Sequence, residues 1–363
     1  MNVAVCGGGR AALAMAADLA LMGYKVNLFE LDKFKENIKT IIKRRGITLT
    51  GKTQSGKTGF VKLHKITTDP EEAIENVQLI MVAVPPTGHV PFVNAFSPYL
   101  VEGQCILVNT GYWASLRLTN ILKEKNVFQK ITVAEANIMP YLADKIGLAQ
   151  SHIYAIKQDI KLATFPANKI NQVFDLIKLI YPQHKKVPNV LWTNFAAGNP
   201  SIHAPLTIPM VGILFDRYKK YRFYAEATTP GAKLAEAFDV ERLKIAKKLS
   251  CDVEMVFDWI QKTYHYSGND LSDALRRSAH AERWVPRERL KAMIEEDISY
   301  FYVPMVRIGD LIGVPTPITQ GIVETLGAML DTNYWKKGIT LKDLGFDGLS
   351  SNQIVKYVQT GRR

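Results

Sequence analysis

The chain has 363 residues, 47% of them hydrophobic and 22% charged, and a net charge of +12. That length points to two domains with sizeable cores, and that composition to an ordinary globular protein. The basic residues are dispersed among acids with no arginine–aromatic repeat, which excludes a nucleic-acid reader. The charge reads as a solvated basic surface, one that would also attract carboxylates and a dinucleotide.

No stretch of about 18 apolar residues occurs, so no membrane span is expected. The first strand begins at residue 2, leaving no room for a signal peptide. Cys6, Cys105 and Cys251 form neither a metal pattern nor a disulfide framework, and no metal is expected. A reducing cytoplasm fits these features.

In chain order, Met1–Val5 reads as a short apolar strand, followed by Gly7, Gly8, Gly9, Arg10, Ala11 and Ala12. This is G-x-G-x-x-A between a strand and a helix. Gly7 permits the sharp turn, Gly9 lets a pyrophosphate approach the backbone, and Ala12 lets the helix pack closely on the strand. The free N–H groups of the helix start then face an anion. The helix, Ala11–Met22, stops at Gly23, and a second strand runs from Lys25 to Glu30. Glu30 stands where such a fold places the acid for the ribose 2′-hydroxyl. It would repel a 2′-phosphate, so NAD is the expected cofactor; Lys33 and Lys35 just beyond keep NADP open.

A polar helix is predicted over Lys33–Arg45. The segment Gly51–Thr58, GKTQSGKT, matches the phosphate-loop pattern letter for letter. Ile47–Thr50 before it and Phe60–Leu63 after it are short and rich in β-formers, however, so it reads as a hairpin turn. Continuous apolar runs at Val77–Val84, Cys105–Asn109 and Ile131–Ala134 predict parallel strands covered on both faces. Val84, Pro85 and Asn109 close the first two, where a nicotinamide would lie. Two more strands are expected within Ile153–Phe165. An amphipathic helix then carries Ile170, Val173, Phe174, Ile177 and Ile180 at three- and four-residue steps. The segment His184–Pro188 marks the boundary, giving a Rossmann-type α/β dinucleotide-binding domain over 1–187 and an all-α substrate domain over 188–363.

In the second half, Val253, Val256, Phe257 and Ile260 form one helical stripe, and Ile318, Ile322, Leu326 and Met329 another. Asn199 is placed as an N-cap with Pro200 at the first helical position, so His203 falls in the first turn. An acid facing that imidazole would fix its tautomer and suit it to acid–base work; Asp297, before the run Tyr300–Tyr302, is one such acid, although spacing alone does not pair the two. Glu135 and Glu226 are candidates either to meet a substrate ammonium or to serve structure.

Taken together, several segments give the chain its resemblance to the opine dehydrogenase family of the octopine/nopaline type. They are the glycine fingerprint, Val84-Pro85, Asn109-Thr110-Gly111, Glu135–Tyr141 (EANIMPY), Gly198–His203 (GNPSIH), Phe223–Glu226 (FYAE), Thr229-Pro230, Glu296–Ile298 (EDI), Val314–Pro317 (VPTP) and Thr340–Phe346 (TLKDLGF). The resemblance implies a His–Asp dyad, here His203 and Asp297, and a reductive condensation of a 2-keto acid, commonly pyruvate, with an amino acid. An imine forms and NAD(P)H reduces it. It also implies that Asn199 helps His203 hold the keto acid. Where members often carry an arginine just upstream of the dyad acid, this chain has Ala292, with Arg287, Arg289 and Lys291 as possible replacements. The expected partners are therefore small molecules, and the oligomeric state stays open, a homodimer among the options. Competing readings are a ketopantoate reductase-like dehydrogenase of another small hydroxy or keto acid, a nucleoside triphosphate-binding protein using Gly51–Thr58, and a non-catalytic dinucleotide sensor.

Overall fold

The computed structural model describes residues 1–128, 131–196 and 198–363. In chain order its strands are β1 (Asn2–Cys6), β2 (Lys25–Phe29), β3 (Gly46–Gly51), β4 (Gly59–Lys62), β5 (Lys65–Thr67), β6 (Leu79–Val82), β7 (Cys105–Asn109), β8 (Thr132–Ala136), β9 (Tyr141–Gly147), β10 (Gln150–Ile156), β11 (Ile160–Phe165) and β12 (His184–Lys186). One sheet runs β12-β11-β8-β7-β6-β1-β2-β5. From β5 through to β8 every pairing is parallel, whereas β11 lies antiparallel to β8. Numbered along the chain, β1, β2, β5, β6, β7 and β8 give the order 3-2-1-4-5-6 of a doubly wound dinucleotide-binding sheet, which reverses between β1 and β6. The runs LIMV and CILVN are buried at every position, as strands covered on both faces must be.

A second sheet, β4-β3-β10-β9, explains the helix Arg10–Leu21. Its residues Ala12–Leu19 are all buried, because β1 and β2 pack on one side and β3, β9 and β10 on another. A helix enclosed in this way has no solvent face, hence its Ala/Leu/Met content. The exception is Asp18, a fully buried carboxylate. It accepts hydrogen bonds from the Tyr141 hydroxyl at 2.6 Å and from the Gln54 and Ser55 backbone N–H groups at 2.7 and 3.1 Å. Those two amides belong to the GKTQSGKT turn. That turn joins β3 to β4 as an antiparallel hairpin, Ile47 opposite Val61 and Thr48 opposite Phe60, as the flanking β-formers predict.

By packing, the chain divides into Met1–Thr193 with Gln359–Gly361 and Asn194–Val358 with Arg362–Arg363. The predicted polar helix is a 3-10 segment, Asp32–Asn37, followed by an α-helix, Lys39–Arg44. The amphipathic helix occupies Ile170–Ile180 as expected.

Among the described residues the second unit is built of helices, as expected, joined by loops and one two-residue ribbon, Lys220–Tyr221 against Val285–Pro286. Its longest helix, Thr229–Lys248, packs on the helices Gly198–Thr207, Val303–Ile312 and Pro317–Met329. The last of these is rotated from its predicted stripe. Thr319, Ile322, Val323 and Leu326 face inward, while Ile318 and Met329 are 37% and 51% exposed. The cause is Glu241, whose buried carboxylate accepts from Ile318 N, Thr319 N and Thr319 Oγ1 at 2.7–2.8 Å and fixes the helix start with Thr319 inward. Among the described residues no helix is long and apolar enough to cross a membrane.

Candidate active site

The first unit gathers the predicted cofactor residues at the carboxyl ends of β1, β2, β6 and β7, beside the order reversal. Gly7 has φ +115°, and a Cβ there would stand 2.6 Å from Val84 Cγ1, 3.2 Å from the Ala83 carbonyl and 3.5 Å from Ala12 Cβ. Only glycine fits this turn. Gly9 is exposed, and a Cβ on it would meet nothing within 4 Å. No side chain caps the Arg10–Leu21 helix that follows, so its first amides are open to an anion. Arg10 pairs with Asp144 on β9 at 2.9 Å. Glu30, just after β2 and 3% exposed, accepts from Gly8 N at 2.8 Å, Leu31 N at 2.9 Å and Asn37 Nδ2 at 3.1 Å. A carboxylate has about four acceptor sites, which leaves one for a ribose hydroxyl.

Val84 and the exposed Pro85 lead from β6 into the helix Pro86–Phe96. Asn109 closes β7 fully buried, and neither its Oδ1 nor its Nδ2 has a partner. An unpaired buried amide costs about 1–3 kcal/mol, so this side chain fits a polar ligand at the strand end. The turn after it holds three non-glycine residues at positive φ: Thr110 at 65°, Tyr112 at 46° and Trp113 at 62°. Such strain persists only where the surroundings impose it, and it clusters at functional sites. Here the clamp is Glu135, which accepts from Ser115 N and Oγ at 2.9 and 2.8 Å and from Thr193 Oγ1 at 2.6 Å. Glu135 therefore braces the turn. Open amides, the room over Gly9 and the unpaired Asn109 together fit a dinucleotide.

The second unit holds the titratable cluster. Its helix Gly198–Thr207 already includes Gly198. Asn199 is therefore inside the first turn rather than capping it, and His203 lies past that turn, beyond the strongest influence of the helix dipole. Tyr302 Oη donates to the Pro200 carbonyl at 2.8 Å, Ser201 Oγ to Asp239 at 3.2 Å and Thr207 Oγ1 to the His203 carbonyl at 2.8 Å, fixing the helix beneath the imidazole. Asp297 ends the helix Arg287–Asp297, and a π turn, Ile298–Tyr302, follows. Residues five apart point about 140° apart on an α-helix. The wider turn brings Asp297 and Tyr302 toward one side, where both are buried.

His203 Nδ1 lies 2.8 Å from Asp297 Oδ2 and its Nε2 lies 3.0 Å from the Tyr224 hydroxyl. His203 is 7% exposed and Asp297 2%. The carboxylate only accepts, so Nδ1 carries the proton, Nε2 presents a lone pair, and the phenol donates to it. Burial pushes the Tyr224 phenol up to about 12; Asp297 acts in the same sense, while Arg283 and Arg289 act against it. The phenol thus stays protonated and able to donate. Tyr224 has no local sequence signature beyond the aromatic pair Phe223-Tyr224. Glu226, the other ammonium candidate, is exposed.

Of the three candidates to replace the arginine absent at Ala292, Lys291 is exposed and lies 4.0 Å from Glu295. Arg287 Nη1 donates to the Phe215 carbonyl at 2.9 Å. Arg289 keeps a buried Nε with no partner, lies 3.5 Å from Glu296 and acts electrostatically on Tyr224. Asn199 is half-buried.

The doubly wound sheet with its glycine turn, followed by the helical unit, defines the class: an NAD(P)-dependent oxidoreductase. The family model for the α-helical domain of NAD/NADP octopine/nopaline dehydrogenases matches residues 186–330. An opine dehydrogenase of Arthrobacter sp. (strain 1C) is 30% identical over 360 residues, 98% of each chain. The chain belongs to the opine dehydrogenase family. A vitopine synthase of Allorhizobium ampelinum is 22% identical, again over 98% of each chain. The fold matches an octopine dehydrogenase solved with NADH and agmatine at a TM-score of 0.81 and 15% identity, covering 100% of this chain and 98% of that one.

Proposed function

We propose that the protein joins the amino group of an amino acid to a 2-keto acid, pyruvate first among them, and reduces the resulting imine to a secondary amine dicarboxylate in the cytoplasm. The observation that carries this reading is the buried contact of His203 with Asp297 at 2.8 Å, which leaves Nε2 as the one nitrogen able to exchange a proton. His203 takes a proton from the substrate ammonium, freeing the amine to attack the keto carbon. It returns that proton to the hydroxyl of the addition product; the C–O bond breaks, water leaves and the imine forms. Asp297 keeps the imidazole in one tautomer and stabilises its cation. Reduced NAD(P) supplies the hydride.

In the first unit, Gly7, Gly8, Gly9, Arg10 and Ala12 would seat the pyrophosphate, Glu30 the ribose, and Val84, Pro85 and Asn109 the nicotinamide end. With Glu30 at the ribose, NAD is the favoured cofactor. In the second unit, Asn199 would help hold the keto acid, and Arg289, with its unpaired Nε, would grip the carboxylate in place of the missing arginine.

The test follows oxidation of NADH and of NADPH with several keto acids, each crossed with a panel of amino acids. The expected result is oxidation only when both substrates are present. Oxidation by a keto acid alone would replace this reading with simple hydroxy-acid formation.

A further inference from the structure

We infer that Tyr224 is a catalytic residue, the group whose hydroxyl passes protons between His203 and the reacting nitrogen and oxygen of the substrate. The inference deepens the functional reading above and rests on it. Nδ1 of His203 is committed to Asp297, so protons reach the imidazole through Nε2, and Nε2 already has the Tyr224 hydroxyl at 3.0 Å. A substrate proton must pass through that hydroxyl or push it aside.

The packing around the tyrosine favours passage. Its ring lies 5.1 Å from Phe223, edge to face, and 4.9 Å from His280, which in turn lies 4.9 Å from Tyr264 and 5.8 Å from Tyr266. Swinging Tyr224 away would open this whole aromatic cluster, whereas relay needs no movement beyond the protons. The hydroxyl is also poised for it, because it donates to Nε2 while its oxygen lone pairs can accept from an ammonium. The charges that face it are Asp297, which opposes ionisation, and Arg283 and Arg289, which favour it; Tyr266 and the His280 ring complete the surroundings. Two guanidiniums whose fields reach the phenol lower the cost of the partial negative charge it carries during transfer.

The steps balance. The ammonium gives a proton to the Tyr224 oxygen as the Tyr224 proton moves to Nε2, leaving a neutral amine and an imidazolium paired with Asp297. The amine adds to the keto carbon, and a proton shift from nitrogen to oxygen gives the hydroxyl adduct. Tyr224 then protonates that hydroxyl while Nε2 restores the Tyr224 proton. The C–O bond breaks, water departs, and the nitrogen lone pair closes the C=N bond. The imidazole ends neutral, as it began.

The experiment compares the full-length native enzyme with Tyr224→Phe at saturating NADH, keto acid and amino acid. The expected result is a fall in kcat of at least about a hundredfold, with NADH affinity and melting temperature near native. A proton inventory in mixed light and heavy water adds a readout that a structural role would not move. The native rate should curve with deuterium content, as for two protons in flight. A kcat within threefold of native for Tyr224→Phe, or a linear native inventory, overturns the relay. Should the phenylalanine variant fail to fold, the native inventory and 3-fluorotyrosine at position 224, which alters only the acidity of the hydroxyl, decide the matter. A native enzyme inactive with every substrate pair would instead sink the functional reading itself.

Discussion

Replacing Asp297 by Asn keeps the shape of the dyad and removes its charge. In the native protein the buried carboxylate sits 2.8 Å from His203 Nδ1, which puts the centres of the two charges about 4 Å apart once the imidazole is protonated. At the effective dielectric constant typical of proteins, such a pair is worth about 4 kcal/mol. The amide recovers little of this, and it can also donate to Nδ1, selecting the wrong tautomer. Each 1.36 kcal/mol is tenfold in rate, so Asp297→Asn should lower kcat about a thousandfold. The assay is steady-state oxidation of reduced cofactor at saturating substrates, with cofactor affinity from fluorescence titration and folding from a thermal melt. Cofactor affinity should hold, because the predicted dinucleotide residues belong to the other unit. A folded variant that loses less than tenfold in kcat would refute the assignment of Asp297 as the counter-charge.

Three further outcomes follow from the packing. Asp239, fully buried, accepts from Arg242 Nε at 2.6 Å and from Val256 N at 2.7 Å. Asp239→Ala strands a buried guanidinium, so it should cost about 3–5 kcal/mol and lower the melting temperature by roughly 10 °C, and the double variant with Arg242→Met should lose less than the sum of the two single variants. Burial depresses His184 to about 4, and burial with Arg117 nearby depresses His89 to about 3, against an ordinary value near 6.5. Below pH 6.5 the unfolded chain therefore binds more protons than the folded one, and stability falls as pH falls, by on the order of 2 kcal/mol for each histidine at pH 5; melts from pH 8 to 5 should slope accordingly, less steeply for His89→Leu. Gly7→Ala places a methyl group 2.6 Å from Val84 at a φ of +115°. It should weaken NADH binding at least tenfold in a fluorescence titration, and unchanged binding would remove Gly7 from the cradle.

What the sequence makes legible is what is encoded locally. The turn Gly7–Gly9, the buried run Cys105–Asn109 and the amphipathic helix Ile170–Ile180 are each decided by neighbours within a dozen residues. The partnership of His203 with Asp297 spans 94 positions and reaches the sequence reading only through family resemblance. Tyr224 enters the sequence reading only as part of the FYAE segment, with no role attached, because its role depends on where an irregular segment sets one hydroxyl. Asn199-Pro200 misleads for a physical reason: the pair suits a helix start, yet the helix begins earlier, with Gly198 pressed on Trp259 where a Cβ would collide at 2.1 Å. Three strands of the first unit are also invisible, β5 and β12 for their shortness and β9 because YLADKIG lacks a clean alternation.

The acid inside the Arg10–Leu21 helix has a consequence for nucleotide selectivity. Asp18 holds the very amides that a phosphate loop would offer to its ligand, and it does so from within the same chain. A tethered anion acts at an effective concentration in the millimolar range or above, so a free nucleoside triphosphate would have to evict a resident competitor and abandon a charge in the interior. The chain thus carries the letters of a phosphate loop while its own carboxylate occupies two of that loop's amides.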